Sequence, residues 1–285
     1  MNTNNLNFIF FGTPDVSSET LEILKQDGYI PSLIVTSPDT KKGRGLHMEQ
    51  SPTAIFAQQN NILCLKPEKL DEEFTLQLST LNFQLFLVVA YGKIIPENIL
   101  NTPKLGSINI HYSLLPKYRG ASPVESAILN GDTETGVVIQ KMAFKMDSGP
   151  IIAQKKVTIL PHEKAPDLRK RLIKLGGEML VKLLKTPSAD GHSPFAGGEK
   201  QDESKATFCK KIKKEDGLID LKDNATANYN KFRAYALWPR TFFFRDNKRI
   251  IITDAELVDG EFVIKKVLPE GKKEIRWEEF KKKQS

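Results

Sequence analysis

Apolar positions along this chain follow two rhythms, consecutive runs and three-to-four spacing, and the two alternate. "LNFIFFG", "SLIV", "ILCL" and "FQLFLVV" are short consecutive runs and read as strands, the longest as one buried on both faces, and "GSINIHYS" reads as another strand. Between them lie helical stretches: Val16, Leu21, Ile23 and Leu24, stopping near Gly28; "SPTAIFAQQN" with Ser51 as N-cap and Pro52 in first position; and "DEEFTLQLSTL". Alternation of this kind predicts an α/β domain with a mostly parallel twisted sheet. Ligands of such sheets sit outside the carboxyl ends of the strands.

The pattern continues with a helix from about Pro123 to Asn130, paired strands "TGVVIQKM" and "GPIIAQKKVTI", and an amphipathic helix carrying Leu168, Leu172, Leu175, Met179 and Leu183. From Thr186 the sequence turns rich in Pro, Gly, Ser and Asp and reads as a linker. Beyond it, a helix near 224–237 precedes "TFFF", "RIIIT", "EFVIKKV" and "EIRW", which predict a small antiparallel or barrel-like second domain. The expected boundaries are 1–185 for a catalytic domain, 186–206 for the linker and 207–285 for the second domain.

Composition narrows the classes. No apolar run approaches the ~20 residues of a membrane span, and "MNTNNLNFIFFG" reads as a first strand rather than a signal peptide. Cys64 and Cys209 cannot build a disulfide framework, which fits a reducing compartment. His47, His111, His162 and His192 show no ligand spacing, so no metal site is expected. The net charge of +7 is unevenly spread: residues 207–285 hold 19 Lys and Arg against 13 Asp and Glu, a net of +6. That excess suits a polyanionic partner such as nucleic acid, or else a solvated basic face.

The candidate chemistry lies in "SINIHYSLLPKYRG". Strand alternation puts Ser107, Asn109 and His111 on one side and Ile108 and Ile110 on the other. Asn supplies N–H donors that do not titrate, and His a group that exchanges a proton near neutrality. Acyl transfer to an amine needs both, one to steady an oxyanion and one to move a proton. Asp147, in "KMDSGP", is the candidate carboxylate to orient the imidazole.

"NIHYSLLPKYRGASPV" closely resembles the signature of enzymes that transfer a formyl group from 10-formyltetrahydrofolate, with the acid supplied at Asp147 in "ETGVVIQKMAFKMDSGPII". The resemblance extends over essentially the whole chain, through "FFGTPD", "SPDTKKGRGLHMEQSPTAIFA", "VVAYGKIIPENIL", "RAYALWPRTFF" and "LPEGKKEIRWEEF". It implies a Rossmann-like formyltransferase domain and catalytic roles for Asn109, His111 and Asp147. Folate contacts are implied for Ser113, Leu114, Leu115, Pro116, Val89, Tyr91 and Gly92. The branch resembled acts on methionyl initiator tRNA, which implies tRNA or acceptor contacts for Lys41, Lys42 and Arg44 and for Gly12, Thr13, Pro14 and Arg119. Arg119 reads equally as a structural clamp. No metal is implied, and a cytoplasmic monomer is.

One departure stands out. Only 23 residues separate "WPRTFFF" from "LPEGKK", fewer than the family's full C-terminal barrel holds, so a shortened barrel is expected. N-formylation of an aminosugar nucleotide is the alternative activity, and a non-catalytic RNA-binding protein a more distant one.

Overall fold

A computed structural model of the chain describes residues 6–42, 47–186, 195 and 197–282. Strand β1 (Phe8–Gly12) leads into helix α1 (Asp15–Gln26), β2 (Leu33–Val35), the short strands β3 (Thr40–Lys42) and β4 (His47–Glu49), α2 (Pro52–Gln59), β5 (Leu63–Leu65) and α3 (Glu72–Ser79). There follow β6 (Leu85–Val89), α4 (Glu97–Leu100), β7 (Ser107–His111), β8 (Arg119–Gly120), α5 (Pro123–Leu129), β9 (Glu134–Lys141), β10 (Ile151–Thr158) and α6 (Ala165–Lys185). The remainder is β11 (Phe208–Cys209), α7 (Ala225–Ala234), β12 (Phe242–Arg245), β13 (Lys248–Val258), β14 (Glu261–Pro269), β15 (Ile275–Arg276) and α8 (Trp277–Lys282).

Seven strands form one sheet in the order β10-β9-β7-β6-β1-β2-β5. The pairs from β7 through β6, β1 and β2 to β5 are parallel, and β9 joins β7 antiparallel. Every residue of β1 and β6 is buried, as their unbroken apolar runs require. One face packs Ile9, Phe11, Leu33, Val35, Phe86 and Val88 with Phe74 and Leu78 of α3. Ser51 caps α2 by accepting the Ala54 amide at 3.0 Å, and Asp71 caps α3 by accepting that of Phe74 at 3.1 Å.

Contacts divide the chain into two compact units, one of residues 1–116, 137–155 and 172–206 and the other of 117–136, 156–171 and 207–285. The second thus takes in two segments that the sequence reading leaves with the first 185 residues, because α5 packs on α7. Its antiparallel sheet runs β12-β13-β14-β15 over a core of Tyr229, Phe232, Phe243, Ile250, Ile252, Ile264 and Val267. Phe208 and Cys209 of β11 pair in parallel with Arg119 and Gly120 of β8. No helix among the described residues is long and apolar enough to cross a membrane.

After Asp39, Thr40, Lys41 and Lys42 pair antiparallel with Glu49, Met48 and His47. Arg44, a candidate tRNA contact, lies outside the described residues.

Candidate active site

Register builds the site. Asn109 on β7 stands level with Val88 on the parallel neighbour β6 and with Gln140 on the antiparallel neighbour β9. Its side chain uses both: Nδ2 donates to the Val88 carbonyl at 2.9 Å, and Oδ1 accepts from Gln140 Nε2 at 3.3 Å. One Asn109 N–H is left over by these two contacts. His111, two positions on and nearly buried, brings Nδ1 to within 3.6 Å of Asp147 Oδ2. The expected alternation holds, but both faces of β7 are covered, so the polar side is a buried site and not a wet surface.

Asp147 reaches this point on a turn between β9 and β10, with its own backbone in the left-handed region at φ +49°. Two residues on, a Cβ at Gly149 would stand 1.8 Å from the Lys141 carbonyl oxygen. Only glycine lets the turn lie this close to β9. Asp147 Oδ1 accepts from Gln140 Nε2 at 3.0 Å, so one carboxamide bridges Asn109 and Asp147. Gln201 in turn donates to Gln140 Oε1 at 3.2 Å and to the carbonyls of Asp147 and Gly149 at 2.8 and 2.7 Å. Sequence reading missed both glutamines. A polar residue inside the apolar run "TGVVIQKM" was a signal for Gln140, whereas Gln201, in linker-like sequence, offered none.

Among the implied folate and acceptor residues, two groups meet around the β1–α1 turn. Thr13 Oγ1 donates to the Tyr91 carbonyl at 3.0 Å, and its backbone N–H donates to Ser17 Oγ at 3.0 Å. Ser17 Oγ donates onward to the Val89 carbonyl at 2.6 Å. A Cβ at Gly12 would fall 2.6 Å from the Ser17 and Phe10 side chains, so the Gly12–Thr13–Pro14 turn has room for glycine alone. After β6 the backbone turns through left-handed Ala90 and Gly92, and burial pushes the Tyr91 hydroxyl up to about 12. The Tyr91 hydroxyl is buried with no hydrogen-bond partner, and its ring packs edge-on against Phe11 in the core.

Ser113 and Leu115 are buried, Leu114 half-buried, and Pro116 follows a cis peptide bond. Arg119 is wholly buried, which fits the structural clamp rather than a surface contact with tRNA. Lys41 is exposed. Among the described residues no cluster of His, Cys, Asp and Glu could hold a metal ion.

A mostly parallel sheet carries, at one strand end, a buried imidazole beside a half-buried amide and carboxylate, groups suited to acyl transfer, and the chain belongs to the formyl transferase family: the family described as "Formyl transferase" matches residues 5–184, and "Formyl transferase, C-terminal domain" matches 211–263. Within it, the chain is similar to proteins named Methionyl-tRNA formyltransferase. That of Thermotoga neapolitana is 38% identical over 254 residues, covering 88% of this chain and 80% of the relative. That of Mycoplasmopsis pulmonis is 38% identical over 262 residues, covering 91% and 89%. The solved methionyl-tRNA formyltransferase of Clostridium thermocellum superposes with a TM-score of 0.61 at 17% identity, covering 95% of this chain and 99% of that one. An N-formyltransferase from Helicobacter canadensis, solved with folinic acid, gives 0.62 at 19%, covering 91% and 95%. At these identities the two structures bear on the fold alone.

Proposed function

We propose that the protein transfers the formyl group of 10-formyltetrahydrofolate to the α-amino group of methionyl initiator tRNA. The observation that carries the reading is the convergence of Asn109, His111 and Asp147 at one strand end, in a chain 38% identical to named methionyl-tRNA formyltransferases. The donor supplies a formyl group already activated on nitrogen, held by the turn from Ser113 to Pro116 and the loop at Val89, Tyr91 and Gly92.

The protein's own groups manage charge and protons. Asn109 aims its remaining N–H at the formyl oxygen as negative charge grows there. His111, steadied by Asp147 on its Nδ1 side, takes the proton of the attacking amine and returns it to the leaving N10. The new N–C bond to the amine forms as the C–N10 bond breaks. An α-amino group titrates at roughly 8 or below, so much of the acceptor is neutral at pH 7.

Recognition of tRNA falls to the basic residues. Lys41 stands exposed on β3, and residues 207–285 carry the net +6. In the second unit Lys214, Arg249 and Lys272 line a cleft of about 300 Å³, with the Arg249 guanidinium 3.9 Å from the centre of the Phe242 ring. A monomer acting in the cytoplasm completes the reading.

The test offers radiolabelled 10-formyltetrahydrofolate to charged initiator tRNA and to a panel of aminosugar nucleotides. Label is expected on the tRNA, with Asn109→Ala and His111→Ala each lowering kcat by ~10²–10³ or more. Label on a sugar nucleotide alone, or near-normal turnover by His111→Ala, overturns the reading.

A further inference from the structure

We infer that Gln140 is a positioning residue for the transfer, holding the Asn109 amide from the side opposite the Val88 carbonyl so that its nitrogen faces the formyl oxygen, and that Gln201 holds Gln140 in turn. The inference rests on the roles proposed above for Asn109 and Asp147. An asparagine can steady an oxyanion only with its nitrogen toward it; turned over, the amide would present oxygen to oxygen. The Val88 carbonyl, an acceptor 2.9 Å away, asks for nitrogen on its side, and Gln140 adds a donor on the other, so both neighbours enforce one sense. The Gln140 carboxamide is 1% exposed, so each of its atoms must be matched within the protein.

Asp147 is an acceptor, so the Gln140 atom 3.0 Å from Asp147 Oδ1 has to be the NH₂ group. The same nitrogen lies 3.3 Å from Asn109, which must therefore offer Oδ1 there and turn its own nitrogen to Val88 and the ligand. Gln140 Oε1, pointing the other way, accepts from Gln201 Nε2 at 3.2 Å. The Gln201 nitrogen is held in its sense by the Asp147 and Gly149 carbonyls, its two hydrogens serving three acceptors. Polarity thus runs in one direction, from two backbone carbonyls through two glutamines to Asn109 and Asp147.

Gln140→Leu and Gln140→Glu test it, with Asn109→Ala in parallel. Gln140→Leu is expected to lower kcat about 10- to 100-fold, with KM for folate and tRNA little changed. Gln140→Glu keeps the shape but sets a second acceptor against Asp147 and Asn109 Oδ1. Like charges force the two carboxyls to share a proton at raised pKa, and that proton removes the repulsion and restores one of the two lost donor contacts, the one to Asp147. The ratio of variant to wild-type kcat should therefore rise as pH falls from 8 to 6, while protonation of the acceptor amine cancels in the ratio. Should either variant fail to fold, Gln201→Ala decides, with an expected loss of about 3- to 10-fold in kcat at unchanged KM. Wild-type kcat and a flat ratio in the folded variants overturn the inference. If Asn109→Ala is equally active, the proposed site falls as well; if Asn109→Ala alone is impaired, only the role of the glutamines falls.

Discussion

His111 Nδ1 stands 3.6 Å from Asp147 Oδ2, beyond hydrogen-bond length but within reach of a small side-chain adjustment. Catalytic contacts are often this long before substrate binds and tighten in the reacting complex. Asp147 sits at φ +49°, a region that Asn tolerates far better than Ala. Asp147→Asn therefore removes the charge while keeping the turn. A fall in kcat of ~10²–10⁴ with an unchanged melting temperature is expected. Formyl-transfer kinetics beside a thermal melt check it, and full activity in Asp147→Asn would remove the carboxylate from the mechanism.

Gly149→Ala tests how the turn is held. Its Cβ would press into the Lys141 carbonyl at 1.8 Å, and neither partner is the free end of a flexible side chain. The turn must lift from β9, taking Asp147 away from Gln140. Loss of transfer activity with the core still folded is the expected result, read as kcat against a circular-dichroism melt.

Lys41→Ala probes the acceptor side. The residue is exposed, so its removal should leave the melt untouched. KM for the tRNA should rise with kcat nearly constant, and the slope of log KM against log salt should flatten by about one. An unchanged salt dependence would take Lys41 out of the tRNA interface.

Tyr118 gives an alkaline signature. Its hydroxyl donates to Asp132 Oδ2 at 2.9 Å, and burial together with that carboxylate pushes it up to about 12. A raised folded-state value means that the contribution is complete below the unfolded value of about 10 and lost as pH climbs toward 12. Tyr118→Phe should shrink the fall of melting temperature between pH 9 and 12. A melting curve as steep as wild type would contradict the assigned hydrogen bond.

Periodicity made the sheet legible: β1 and β6 lie where unbroken apolar runs place them, β7 where polar and apolar residues alternate, and Ser51 caps α2 as its Ser-Pro start suggests. Local pattern could not reveal partners far apart in sequence. The pairing of β8 with β11 joins residues about ninety positions apart, and two residues a side leave no periodic trace. The β3–β4 pair hid for the opposite reason, since its exposed, charged strands bury no face. Asn109 and His111 stood out because polar side chains interrupt a short strand, and Asp147 because it lies in the turn between two strands. Gln201 did not, because its contact exists only once the chain brings it back to Gln140, 61 positions earlier.

The anchoring of Asn109 to the Val88 carbonyl has a consequence for how such a catalyst can diversify. The aim of its N–H is inherited from inter-strand spacing, one of the stiffest dimensions in a protein. Under the role proposed for Asn109, segments around the site can be lengthened, shortened or rewritten for a new acceptor without re-aiming the amide that steadies the oxyanion.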